Sequence, residues 1–264
     1  MSDQDWSAVL EETVAAVREA EAIVRDHWSK PRQVRHKGRV DLVTQTDLAV
    51  EGMLKERLAR ILPEATFLAE ESAGAAPCGP LTWIIDPVDG TTNFAHGVPM
   101  VAISVGLWQG DTVRLGVLSV PMLDELYWAV RGQGAWCNGE RLGVTYTSDL
   151  VDSLIATGFP YAIGEHLDSI LAMLGRVLPL TRGVRRCGAA AVDLAWTARG
   201  RFDGFYETDL NPWDVAAGWL LVEEAGGRVT QYSGAPYAVG SKTILATNGR
   251  IHDALRRALA DVDA

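Results

Sequence analysis

Apolar residues at Leu10, Val14, Val17, Ala20, Val24 and Trp28 recur at spacings of three and four, which predicts an amphipathic helix over about 6–28, ending before Lys30-Pro31. The period returns at Val50, Leu54, Leu58 and Ile61 before Pro63, with Asp47 placed to cap that helix. Phe67-Leu68-Ala69 reads as a short strand handing over to Glu70-Glu71-Ser72 and a Gly/Ala/Pro loop. Trp83-Ile84-Ile85 reads as a buried strand that delivers polar groups to its C-terminal end. Apolar, β-rich runs at 98–108 and 112–120 flank Gln109-Gly110-Asp111 as a hairpin, and 125–130 is another strand. Glycines at 132, 134 and 139 punctuate a further hairpin around Ala135-Trp136. The first half thus predicts a helix pair plus an antiparallel sheet.

Near 148–150 the pattern changes to alternating strands and helices. It gives a strand at 154–157 and a helix carrying His166, Ile170, Leu174 and Leu178. A strand at 184–187 precedes Gly188-Ala189-Ala190-Ala191, which opens a small-residue helix toward Arg199. A strand at 204–207 leads to a helix that opens at Trp213-Asp214-Val215-Ala216 and closes at Gly226-Gly227. Strands at 228–232 and 243–247 and a helix from about 250 finish the chain. Two halves are expected, 1–147 and 148–264. No repeat or heptad run occurs, and Gly240-Ser241-Lys242-Thr243 is not a P-loop because a strand, not a helix, follows it.

At 264 residues the chain has room for one large domain or two halves sharing an interface. Its 48% hydrophobic and 22% charged content excludes a disordered class. No apolar run approaches the roughly 20 residues of a membrane span. The N-terminus is acidic and amphipathic where a secretory signal is basic then apolar, so a cytoplasmic location is expected. Cys78, Cys137 and Cys187 are far apart and odd in number, which indicates neither a disulfide framework nor a zinc site. A net charge of −10 disfavours nucleic acid as a partner, and an acidic protein acting on an anion needs bound cations to supply positive charge.

The candidate chemistry concentrates in Asp86-Pro87-Val88-Asp89-Gly90-Thr91-Thr92-Asn93-Phe94. Asp86 and Asp89 are hard oxygen ligands close enough in sequence to share one cation or bridge a pair, and Mg²⁺ is the natural guest. Pro87 withholds an N–H where the strand stops, and Gly90 lets backbone approach a bound group. Thr91 offers a hydroxyl, and the N–H groups of a following helical turn suit a phosphate oxygen. An Asp-Pro turn with a helix cap accounts for any few of these residues, but not for all of them together. The basic segment Arg32, Arg35, His36, Lys37 and Arg39 fits a solvated loop or a guide for an anionic substrate.

Glu70-Glu71-Ser72, then Asp86 through Phe94, then Trp213-Asp214-Val215-Ala216, together with Asp41 to Asp47 and Gly188 to Ala190, resemble the inositol monophosphatase family of metal-dependent, lithium-sensitive phosphatases. The likeness runs in order over nearly the whole chain. It implies an α+β fold, a layered α-β-α-β-α sandwich whose halves meet at a Mg²⁺ site. By resemblance Glu70, Asp86, Asp89 and Asp214 supply carboxylates, and Val88 its backbone carbonyl, to two or three Mg²⁺ ions. Asp47, Glu70 and Thr91 then have catalytic roles, with Thr91 bonded to the attacking water and Asp47 taking up or orienting its proton; Asp47 as a helix cap is compatible with that. Substrate contacts fall by similarity to Asp89, Gly90, Thr91, Gly188, Ala190, Asp214 and Glu207, a carboxylate suited to polyol hydroxyls.

The implied activity is hydrolysis of a small phosphorylated polyol or sugar, foremost inositol monophosphate, which the Asn93-Phe94 ending and Glu207 favour. Relatives act on fructose bisphosphate, histidinol phosphate or adenosine 3′,5′-bisphosphate with the same metal site. A non-catalytic partner- or RNA-associated protein is the alternative of another class. A homodimer is expected from the family. His96 adjoins the motif without a matched role, and Lys37 with Arg39 departs from the lysine that the family carries before its Asp-x-Val-Thr stretch.

Overall fold

The computed structural model describes residues 6–30, 34–36, 42–72, 78–160 and 162–260, with backbone alone for 34–36 and 42. Asp41, Arg32, Lys37, Arg39 and the loop after Ser72 lie outside the described residues; Arg35 and His36 are described by their backbone only.

Two amphipathic helices cover one face of the first sheet. In α1 (Trp6–Trp28) the residues Ala16, Val17, Ala20 and Val24 are buried, and in α2 (Gln45–Ile61) Val50, Leu54 and Leu58 are. The segment ahead of α2 forms a small antiparallel pair, β1 (Val34–His36) with β2 (Leu42–Thr44), where the sequence suggested only a loop. A basic run has no apolar alternation to mark it as a strand.

The seven-stranded sheet follows in chain order: β3 (Thr66–Ala69), β4 (Leu81–Asp89), β5 (Ala102–Gln109), β6 (Thr112–Val120), β7 (Glu125–Val130), β8 (Ala135–Cys137) and β9 (Glu140–Arg141). Between β4 and β5 lies the short α3 (Thr91–His96). The expected antiparallel order holds from β4 onward, but β3 runs parallel to β4. The strand expected from 98 begins only at Ala102, since 97–101 is taken up by the turn that closes α3.

The second sheet has five strands, in the order β11 (Gly183–Arg185), β10 (Leu154–Thr157), β12 (Gly204–Thr208), β14 (Thr243–Thr247) and β13 (Arg228–Thr230). Between the sheets lie α5 (Ala190–Ala198) and α6 (Pro212–Glu224), whose small and apolar residues are buried nearly all round. One core joins Ile84 and Leu118 of the first sheet, Leu194 and Leu220 of these helices, and Phe205 and Ala246 of the second. Outside the second sheet pack α4 (Ile163–Val177) and α7 (His252–Leu259). The layers therefore run α-β-α-β-α, as the resemblance implied. Of the expected α4 stripe His166, Ile170, Leu174 and Leu178, Ile170 is buried, together with Met173 and Val177, while Leu178 is exposed. Among the described residues no helix is long and apolar enough to cross a membrane.

Candidate active site

Residues three apart on a regular strand face opposite sides of the sheet. Asp86 and Asp89 escape this because β4 carries an irregularity between them: Asp86 pairs with Ser104 and Asp89 with Ala102, so one extra residue sits on β4. Pro87, with no N–H to give the ladder, occupies that bulge. The Asp86 carboxylate accepts the Val88 N–H at 3.1 Å, which fixes its orientation.

Helix N-termini bring in the other groups. Asp47 is not the N-cap of α2, as expected from sequence; Thr44 is, accepting the Thr46 N–H, and Asp47 completes a capping box three residues on. Asp47 Oδ2 accepts the Thr44 N–H at 2.9 Å and its hydroxyl at 2.5 Å, leaving Oδ1 for the Thr91 hydroxyl at 3.1 Å. Asp214 repeats the arrangement on α6, where Asn211 is the N-cap and donates its N–H to Asp214 Oδ2 at 2.7 Å. The N-cap of α5 is Ala189, which has no capping side chain, and Asp89 compensates by accepting the Ala191 N–H at 2.6 Å. Three helix starts thus point partial positive charge at one carboxylate cluster.

The electrostatics of that cluster are one-sided. Asp86 is buried, which raises its pKa, and Glu70, Asp89, Asp214 and Asp47 raise it further by repulsion. Asp89 is likewise pushed well up, first by burial and then by Asp214. Burial pushes Asp214 up to about 6. None of Asp47, Asp86, Asp89 and Asp214 forms an ion pair with a described lysine or arginine. Oxygen-only donors that repel one another, without a cationic side chain to relieve them, fit a hard divalent cation.

A cavity of about 260 Å³ opens beside the cluster, lined by Asp89, Gly90, Thr91, Gly188, Ala190, Glu207 and Asp214 among others. Glu70 and Asp86 lie outside this lining; Glu70 is held at the end of β3 in a 3-10 turn that Glu51 anchors by accepting the Glu71 N–H and the Ser72 hydroxyl. Val88 is buried, and its carbonyl accepts the Thr91 hydroxyl at 3.0 Å. Gly90, at φ 87°, could not bear a side chain, since a Cβ would lie 2.8 Å from the Met100 carbonyl oxygen.

Asn93 and Phe94, which end the Asp86–Phe94 motif, pack into the protein. The Asn93 amide donates to the carbonyls of Met100 (2.7 Å) and Cys187 (2.9 Å), tying the two halves together, and Phe94 is buried against Trp28. His96 is exposed at the end of α3 and does not line the cavity. Sequence reasoning passed over Gly158, Phe159, Arg186 and Asp193, all of which line it. Burial pushes the Asp193 carboxyl up to about 8, and its Oδ1 has no hydrogen-bond partner among the described residues. The small-residue helix start at Gly188 was the only signal near them.

The whole of this architecture has counterparts. An inositol-1-monophosphatase of Synechocystis sp. is 42% identical over 261 residues, covering 98% of this chain and 91% of its own. The suhB extragenic suppressor protein of Bartonella henselae superposes with a TM-score of 0.90 at 39% identity, over 96% of this chain and 99% of that one. An inositol monophosphatase from Anabaena (Nostoc) sp. does so with a TM-score of 0.89 at 39% identity, over 98% of each chain. The family model for inositol monophosphatases matches residues 5–264, and the chain belongs to the inositol monophosphatase family.

Proposed function

We propose that this chain is a Mg²⁺-dependent phosphoric monoester hydrolase that converts inositol monophosphate to inositol and phosphate. The observation that carries this reading is the Thr91 hydroxyl, held 3.1 Å from a buried Asp47 carboxylate at the edge of a cluster of mutually repelling carboxylates. Family relatives named for the same activity support it.

Glu70, Asp86, Asp89 and Asp214, with the Val88 carbonyl, are the residues we assign to two or three Mg²⁺ ions. When bound, Mg²⁺ supplies the positive charge that stabilises phosphoryl and leaving oxygens and makes water more acidic. The single Thr91 hydroxyl proton has two acceptors in reach, the Val88 carbonyl at 3.0 Å and Asp47 Oδ1 at 3.1 Å; given to Asp47, it turns an oxygen lone pair outward to accept a hydrogen bond from the attacking water. As the water oxygen bonds phosphorus and the P–O bond to the polyol breaks, the water proton passes to Thr91 Oγ while the threonine proton passes to Asp47 Oδ1, and the departing polyol oxygen takes its proton from solvent water. Asp47 is suited to this because burial raises its pKa while the bonds from Thr44 and Thr91 pull it down. On the leaving-group side Glu207 is buried at the cavity wall, makes no hydrogen bond to a described residue, and would accept polyol hydroxyls. Gly188 and Ala190 present backbone to the same space, though the neighbouring Ala191 N–H is already given to Asp89. A homodimer, a cytoplasmic location and inhibition by lithium complete the reading, all by family likeness.

Phosphate release from inositol 1-phosphate, fructose 1,6-bisphosphate, histidinol phosphate and adenosine 3′,5′-bisphosphate, each with Mg²⁺ and with EDTA, tests it. Mg²⁺-dependent turnover that favours inositol 1-phosphate is expected; folded, metal-loaded protein that turns over none of them sinks the proposal.

A further inference from the structure

The Glu207 carboxylate occupies space that only a glycine leaves open. A Cβ built on Gly158 would lie 2.1 Å from Glu207 Oε2 and 2.3 Å from Oε1 and Cδ. The backbone at Gly158 does not adopt a positive φ, so glycine serves here through its missing side chain and not through conformational freedom. The atoms a Cβ would meet belong to the free end of Glu207 and not to backbone. An alanine at 158 would therefore move the carboxylate by roughly 1 Å or more, beyond what a hydrogen bond tolerates, while leaving the fold where it is.

A second group bears on the same carboxylate. Arg186 stacks its guanidinium over the Phe159 ring, 5.4 Å from the centroid, and its Nη1 sits 2.7 Å from where a Cβ on Gly188 would be. One side-chain-free position, Gly188, and one aromatic face thus place Arg186 on the cavity wall, in a lining it shares with Asp193 and Glu207. Arg186 is itself exposed and forms no ion pair with Glu207, so it acts on that carboxylate only through a screened field.

We infer that Gly158 and Arg186 are specificity-determining positions that act through Glu207, the glycine by seating its carboxylate and the arginine, braced on Phe159, by orienting it toward a polyol leaving group. The inference rests on the proposed contact between Glu207 and the polyol. A site whose buried acceptor is aimed at substrate hydroxyls discriminates strongly against esters that lack them, and misplacing the acceptor removes that discrimination before it affects attack at phosphorus.

The test is a set of double-mutant cycles read as the ratio of kcat/KM for inositol 1-phosphate to that for p-nitrophenyl phosphate, whose leaving group has no aliphatic hydroxyl. Glu207→Ala is expected to lower the ratio, and Gly158→Ala to lower it about tenfold, mainly through KM for inositol 1-phosphate. On the Glu207→Ala background neither Gly158→Ala nor Arg186→Met should lower it further. Arg186→Lys should recover part of what Arg186→Met loses, and the arginine cycle stands alone if Gly158→Ala fails to fold. Equal losses with and without Glu207 overturn the inference, as does an unchanged ratio in Gly158→Ala and Arg186→Met when Glu207→Ala itself has an effect. A Glu207→Ala enzyme with an unchanged ratio removes the Glu207 contact from the proposed function, and the inference with it.

Discussion

Asp47 divides its two oxygens between structure and chemistry. Oδ2 is committed to the backbone N–H and hydroxyl of Thr44, and Oδ1 to Thr91. Asp47→Asn keeps the volume and the helix start but no longer accepts a proton, so kcat should fall by about 10²–10⁴-fold with KM little changed. Thr91→Ala breaks the same relay from the other end, and the double variant should be no slower than the slower single one. Steady-state kinetics at saturating Mg²⁺ checks both, and additive losses would show that the two residues act separately. Asp89→Asn should fold and lose turnover by about 10²–10³-fold, the usual cost of one electrostatic stabiliser; an active variant would remove Asp89 from the site. At this scale much was legible, because hydroxyl and carboxylate types have few chemical uses. The exchange of cap between Thr44 and Asp47 was not, since both residue types serve at a helix start and only the φ/ψ values separate them.

Elements were legible where period dominates and obscure where packing decides. The long α1 followed directly from its apolar spacing, as did β6 and β7 from theirs. In α4 the sequence carries two apolar stripes, and the second sheet and α7 select the one through Ile170, Met173 and Val177. The β4 bulge that turns Asp86 and Asp89 to one side had only Pro87 as its signal. Least legible was the seat of α6. Gly106 and Gly116 face each other across β5 and β6, and a Cβ on either would lie 2.9 Å from the Ala216 side chain or 3.0 Å from the Ala217 Cα. On the other side Gly218 abuts Leu194 of α5, at 2.6 Å for a built Cβ. Backbone cannot yield as a side-chain tip does, so Gly116→Val should push α6 outward and destabilise the fold by about 1–3 kcal/mol. Because Asp214 sits in the first turn of α6, the same change should weaken divalent-cation binding. Calorimetric titration with Mg²⁺ beside a thermal melt would separate this from a simple loss of stability; unchanged affinity in a destabilised variant would show that α6 does not set the ligand position.

The molecule as a whole is two sheets held around shared helices, and its charge makes that arrangement conditional. Glu125 at the start of β7 receives Arg199 at 2.9 Å, Arg201 at 2.5 Å and the Tyr127 hydroxyl at 2.6 Å, so one acid–base network already links the first sheet to the end of α5. At the opposite end of these central helices Asp86, Asp89 and Asp214 have no such relief among the described residues. Asp86 and Asp89 are pushed well above the ordinary carboxylate range by burial first and by their neighbours' charge second, and burial pushes Asp214 up to about 6. A carboxyl whose folded pKa is raised keeps a proton that the unfolded chain has released, so its contribution to stability is full below the unfolded value of about 4 and is lost as pH rises through the folded value. Metal-free protein should therefore lose stability relative to an Asp86→Asn variant as pH rises above about 4. A divalent cation acts with the opposite sign, because it binds the ionised carboxylates and competes with protons. With Mg²⁺ at about 100 times its dissociation constant the stabilisation is about 2.7 kcal/mol, or roughly 5–10 °C in Tm for a chain of this size. That increment should be smaller near pH 5, below the Asp214 value of about 6, than near pH 8. Thermal melts with EDTA and with Mg²⁺ at the two pH values measure it directly. An increment that is the same at both would mean that the cation binds elsewhere than on these carboxylates.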